Sequence, residues 1–217
     1  MKLVKPKSEI LIQQPGLEGI YKQIELAGRT CYKSLDKITE GSAKSFVDRM
    51  IKSNHTAMLE EGTVYLWNPV DNNDFEIIRD KYSINKYSEV KANGQAITTN
   101  YRVIVENNWF DDMYMLTDPT EHHEKRYTFK VTTSIGVTRE LNRHRVNSIA
   151  EQSTRYCNYS KDKFGNEITF CIPSWMNIPE GSYCDHDVAF MEELNEYKFY
   201  LHMLDSAERN YMYLIEQ

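Results

Sequence analysis

Between Tyr127 and Tyr156 the chain spells out a strand, a break, a helical stretch and then a dense basic run. Tyr127, Phe129, Val131, Thr133 and Ile135 alternate with Thr128, Lys130, Thr132 and Ser134. That alternation predicts a half-buried strand with one face on the core. Gly136 breaks it, and Val137 to Arg145 is expected to turn helical, which puts Arg143-His144-Arg145 near a helix C-terminus. From Arg139 to Tyr156 the chain carries four arginines and a histidine, although its formal net charge is -6. From Arg139 to Lys163 there are six Lys/Arg against three Asp/Glu, so this segment is locally +3. Arginines gathered this way can bind phosphate, because each planar fork meets two oxygens, and Gln152, Ser153 and Thr154 add short donors. Arg143 and Arg145 are two apart and cannot share a helical face, so they address different groups or different parts of one large ligand. The plain alternative for such a run is a solvated surface.

The 217 residues, 41% of them hydrophobic, suit one globular domain with a core of its own. Fifteen tyrosines fit partly buried interfaces, since the ring packs while the hydroxyl stays wet. The acidic balance argues against a general nucleic-acid binder, which needs a broad basic face. No N-terminal apolar stretch resembles a signal peptide and no run reaches the length of a membrane span, so a soluble, cytoplasmic chain without membrane partners is expected. Cys31, Cys157, Cys171 and Cys184 are widely spaced and form no zinc pattern; Cys157 is expected to pack rather than attack. Adjacent His122 and His123 would point to opposite sides of an extended chain, so no metal is expected there.

Along the chain, Leu3 to Ile12 is predicted as an opening strand, and Leu17, Ile20, Ile24, Ala27 and Cys31 as one helix stripe. A second helix is expected from Ser42 as its cap, with Phe46, Val47, Met50 and Ile51 inward. Gly62 to Trp67 reads as a strand. Asn68 to Lys125 reads as an insertion with Asn-Pro and Asn-Gly turns, a strand at Ile97 to Val105 and a short aromatic helix at Trp109 to Leu116. Ile168 to Ile172 is a further strand. Asp187 to Gln217 is expected to form one long helix, capped by Asp185 or Asp187, with Leu194, Tyr197, Leu201, Leu204, Tyr211 and Ile215 as its stripe.

Arg143-His144-Arg145, seven residues, then Ser153 resembles the R-H-R-x7-S signature of the flavin-dependent thymidylate synthases, also called thymidylate synthase-complementing proteins. Ser153-Thr154-Arg155-Tyr156 is similar to that family's S-x-R-Y. The resemblance covers Met1 to about Trp67 and Arg126 to the end. It implies an α+β fold: a single domain, 1–217, in which a mixed or antiparallel sheet packs with long helices. The implied reaction is reductive methylation of dUMP to dTMP, with methylenetetrahydrofolate as carbon donor, FAD as cofactor and NADPH as reductant. Carried over by position, His55, Arg143, His144, Arg145 and Glu151 would hold FAD. Glu140, Leu141, Asn142 and Arg143, with Glu151, Gln152, Ser153, Thr154 and Arg155, would contact dUMP, Ser153 and Arg155 meeting its phosphate. Glu60 matches loosely a carboxylate that follows the family's histidine. Glu140 stands where many members have glutamine, and an ionised carboxylate only accepts hydrogen bonds whereas an amide also donates. Ser153 is not read as a nucleophile, because no base supports it at a readable spacing.

Members of the family continue beyond the long helix into a Q-A-R segment. The chain is therefore expected to lack the family's C-terminal part, and the arginine that assists uracil ionisation has no counterpart up to Gln217. The alternative is a non-catalytic FAD- or nucleotide-binding remnant; a third reading is an unrelated phosphate-binding module. The resemblance also implies a homotetramer with sites built from several subunits.

Overall fold

The structure, a computed structural model, describes residues 1–184 and 196–216. In chain order its strands are β1 (Lys2–Val4), β2 (Lys7–Leu11), β3 (Thr63–Trp67), β4 (Glu89–Lys91), β5 (Ala96–Asn100), β6 (Thr128–Thr132), β7 (Thr169–Cys171) and β8 (Gly181–Ser182). Its helices are α1 (Gly16–Cys31), α2 (Ser42–Lys52), α3 (Phe75–Ser83), α4 (Tyr101–Glu106), α5 (Ile135–Leu141) and α6 (Glu196–Glu216). The fold is α+β, with small sheets among helices. Two compact units make it up: the larger is Ile10–Thr128 with Asn147–Gln152, and the smaller is Met1–Glu9, Phe129–Val146 and the described residues from Ser153 onward.

In the larger unit the predicted stripe forms α1, with Ile20 and Ile24 buried and Leu17 exposed at the first turn. α2 buries Phe46, Val47 and Met50. Ser42 is not the cap that its position suggests. Gly41 is, at φ 77°, a conformation open to glycine. The Ser42 hydroxyl lies instead 2.8 Å from Glu25 Oε2 and 2.9 Å from the Thr39 carbonyl. β3 pairs antiparallel with β5, Thr63 opposite Asn100 and Trp67 opposite Ala96, and β4 lies on the other edge of β5. The strand expected over Ile97 to Val105 stops at Asn100, whose side chain accepts from the Val103 N–H at 3.0 Å and caps α4. Val103, Ile104 and Val105 favour a strand locally, but the cap and the burial of Val103 and Ile104 override that preference. α3 was not foreseen; its Tyr82 is fully buried and donates to Asp112 Oδ2 at 2.8 Å. The aromatic helix expected near Trp109 is a 3-10 helix, Phe110–Met115. Ile24, Val47, Leu59, Leu66, Ile97 and Ile104 lie at the centre of this core.

In the smaller unit β1 runs between β7 and β8, Leu3 opposite Phe170 in parallel and opposite Gly181 antiparallel. The expected opening strand is split, since Pro6 has no N–H to continue a ladder. α6 packs Leu201 and Leu204 against Met1, Leu3, Ile172 and Ile178. Glu208 of α6 accepts from the Ile168 N–H at 2.6 Å. A helix start at Asp185 or Asp187, the stripe residue Leu194, and Gln217 lie outside the described residues.

β6 pairs with β2 in a two-stranded ladder. Its faces are reversed from expectation: Phe129 and Val131 are 57% and 47% exposed, whereas Thr128, Lys130 and Thr132 are half-buried. Alternation says which side chains share a face, not which face is covered. With only β2 beside it, the apolar face meets no covering layer among the described residues. Among those residues no helix is long and apolar enough to cross a membrane.

Gly28 sits where α1 meets α2, and a Cβ there would lie 2.4 Å from Phe46 Cζ. Alanine gains about 1 kcal/mol over glycine in a helix. Overpacking against a buried ring costs about 1–3 kcal/mol. Gly28→Ala is therefore expected to lower the thermal midpoint, and a melt showing an unchanged or raised midpoint would contradict the close approach.

Candidate functional site

The basic motif leaves the end of α5 through tight turns. The Asn142 N–H reaches the Thr138 carbonyl at 2.9 Å, Arg143 N–H reaches Glu140 at 3.1 Å and His144 N–H reaches Leu141 at 3.0 Å. Arg143 and His144 thus follow the helix C-terminus, where positive charge is favourable. Arg143 Nη1 lies 3.1 Å from Glu140 Oε2, with both side chains largely exposed. Such a surface pair is worth about 0–1 kcal/mol and yields readily to a stronger anion. Arg139, Arg143, His144, Arg145 and Arg155 are all exposed. The basic run is therefore displayed on the surface of the described residues. Charge density alone does not desolvate a site.

Ser153 is half-buried, and its Oγ accepts from the N–H groups of Arg155 at 3.2 Å and Tyr156 at 3.3 Å. A serine hydroxyl has two acceptor sites and one donor, so these contacts leave its proton to be given away. Arg155 Cζ lies 5.8 Å from the centroid of the Tyr156 ring. Glu140, Leu141, Asn142, Gln152 and Thr154 are exposed and Glu151 is half-buried.

The larger unit holds the rest. His55 is exposed and precedes the 3-10 helix Thr56–Glu61, with its Nδ1 at 3.4 Å from the Tyr32 hydroxyl. Glu60 Oε1 accepts from Arg102 Nη1 at 2.5 Å, and Glu60 Oε2 accepts from the Ser148 hydroxyl at 2.8 Å. Arg102 Nε and the Thr56 hydroxyl each reach Glu106 Oε1 at 2.7 Å. Those two donors hold the Glu106 carboxyl below the usual range. A cleft here is lined by Glu60, Asn85, Tyr87, Asn100, Arg102 and Glu106, among others. Sequence reasoning missed Arg102, Ser148 and Glu61. The paired acids Glu60-Glu61 ahead of a strand were the available signal. His123, by contrast, is structural: buried, with Nε2 3.0 Å from the Leu66 carbonyl and Nδ1 accepting from the Thr120 N–H. Among the described residues no group of three or more His, Cys, Asp or Glu could hold a metal.

A family model described as thymidylate synthase complementing protein matches residues 83–217. The chain belongs to that family. Membership carries a thymidylate synthase-related function and agrees with the α+β fold. The match spans the motif and also α4 with Arg102, inside the stretch expected to be an insertion; it does not include residues 1–82. No curated protein and no solved structure matches the chain.

Burial, and then the charge of Glu60, push the Glu61 carboxyl up to about 7. An unfolded glutamate titrates near about 4.3. The folded state therefore holds this proton more tightly, and the resulting stability is present at low pH and lost as pH rises from about 4.3 to about 7. Glu61→Gln cannot ionise and should escape the loss. Its stability relative to the parent chain should improve by about 1–3 kcal/mol between about pH 5 and about pH 8. Denaturant melts that give the same difference at both pH values would refute this.

Proposed function

We propose that the protein is a flavin-dependent thymidylate synthase that methylates dUMP reductively to dTMP, with methylenetetrahydrofolate as carbon donor and NADPH as reductant. The observation that carries this reading is the R-H-R-x7-S-x-R-Y run at Arg143 to Tyr156, inside a family match that covers most of the chain. The donor set fits a phosphorylated cofactor: Arg143 and Arg145 are exposed cations just past the end of α5, with His144 between them. Arg143, His144, Arg145, Glu151 and His55 would hold FAD. When bound, FAD supplies the reducing hydride for the one-carbon unit.

The chain's own residues then bind and orient. Ser153 donates a hydrogen bond to the dUMP phosphate, because its lone pairs are engaged by the Arg155 and Tyr156 N–H groups. Arg155 provides the matching cation. Glu140, Leu141, Asn142, Glu151, Gln152 and Thr154 frame the nucleotide. Glu140 must release Arg143 before that fork can serve a ligand, at little cost for an exposed pair. We assign the exposed Phe129, Val131, Ile135 and Val137 to contacts among copies in a cytoplasmic homotetramer that completes each site. A second reading, a FAD- or nucleotide-binding remnant without turnover, draws support from the engaged Arg143 and from glutamate at position 140.

The purified protein is expected to take up FAD and to oxidise NADPH in a dUMP-dependent manner with thymidylate formed. Arg143→Ala or Arg145→Ala should weaken FAD retention by about tenfold or more, and Arg155→Ala should do the same mainly for dUMP. FAD uptake without thymidylate selects the remnant. Failure to take up FAD overturns both readings.

A further inference from the structure

Both oxygens of the Glu60 carboxylate are engaged by residues distant in sequence. Arg102, at the start of α4, holds Oε1, and the Ser148 hydroxyl holds Oε2. Arg102 is itself oriented through Nε by Glu106, which also receives the Thr56 hydroxyl. All of these residues belong to the larger unit. The Asn147–Gln152 segment lies in no helix or strand, so no backbone ladder fixes it. One side-chain anchor of this segment to the body of that unit is the Ser148–Glu60 bond.

We propose that Arg102 is a positioning residue for the nucleotide-binding segment: it fixes Glu60, Glu60 fixes Ser148, and Glu151 and Gln152 are thereby presented in one geometry before ligand arrives. This rests on the functional reading above, which gives Glu151 and Gln152 to ligand contact. Arg102 touches no ligand and acts through Glu60. An arginine suits the task because its planar fork meets Glu60 through Nη1 and Glu106 through Nε at once, which a lysine ammonium cannot reproduce. Presetting the segment lowers the ordering cost that binding would otherwise carry. The side chains of Arg102 and Glu60 keep 35% and 26% of their surface exposed, so the effect is several-fold rather than many orders of magnitude.

The test uses the full chain with Arg102→Met, Arg102→Lys, Ser148→Ala and the Met/Ala double variant. In the ligand-free protein, amide hydrogen exchange over residues 147–152 should speed up about fivefold in Arg102→Met and in Ser148→Ala, with the β3 and β5 amides unchanged. The dUMP dissociation constant should rise about threefold to tenfold in each, with no further loss in the double variant, because both act through one chain of contacts. Arg102→Lys should recover part of the loss. Unchanged exchange in both single variants, or losses that simply multiply in the double variant, would overturn the proposal. Should Arg102→Met unfold, Ser148→Ala removes a single exposed hydroxyl and gives the same readout. If the parent chain binds neither FAD nor dUMP, the functional reading fails while the exchange comparison still judges the brace.

Discussion

Thr63 lies opposite Asn100, and the arrangement at that end of the β3–β5 ladder follows from this register. Both faces of the ladder are buried, Val64, Leu66, Ile97 and Thr99 on one and Thr63, Tyr65, Ala96 and Thr98 on the other, so a one-residue slip would exchange two sets of side chains that each pack in their own surroundings. The Tyr101 N–H closes the ladder on the Gly62 carbonyl at 2.8 Å. A Cβ on Gly62 would come within 2.7 Å of Ile24, so the chain enters β3 directly beneath α1. Residues just before β3 must then meet residues just after β5. Glu60 meets Arg102 in an ion pair, while burial, and then the Glu60 charge, push the Glu61 carboxyl up to about 7.

The smaller unit follows a different logic. Its own core is built around the buried Leu3, Ile172 and Leu201, yet Phe129 and Val131 on β6 and Val137 on α5 are exposed. The same stretch of chain goes on to deliver exposed guanidinium groups. Apolar and cationic side chains are thus displayed together along this stretch.

Much of the fold was legible because period and punctuation agree. The stripe of α1, the apolar face of α2, and the strands β3 and β7 fall where the sequence places them. α4 was hidden because Val103-Ile104-Val105 is a good strand sequence, and the Asn100 cap together with the burial of Val103 and Ile104 turns it into a helix. For β6 the element was legible but its covered face was not, because coverage depends on what lies opposite. The arginines were visible through spacing within one segment. Arg102, Glu60 and Ser148 were not, because contacts spanning 42 and 88 residues arise from strand register and leave no local pattern.

The turn at Ser153 has a pharmacological corollary. An oxygen whose lone pairs are already taken by two main-chain N–H groups cannot easily attack a carbonyl, phosphoryl or sulfonyl centre. Acylating and phosphonylating poisons that search out activated serines would pass this one by.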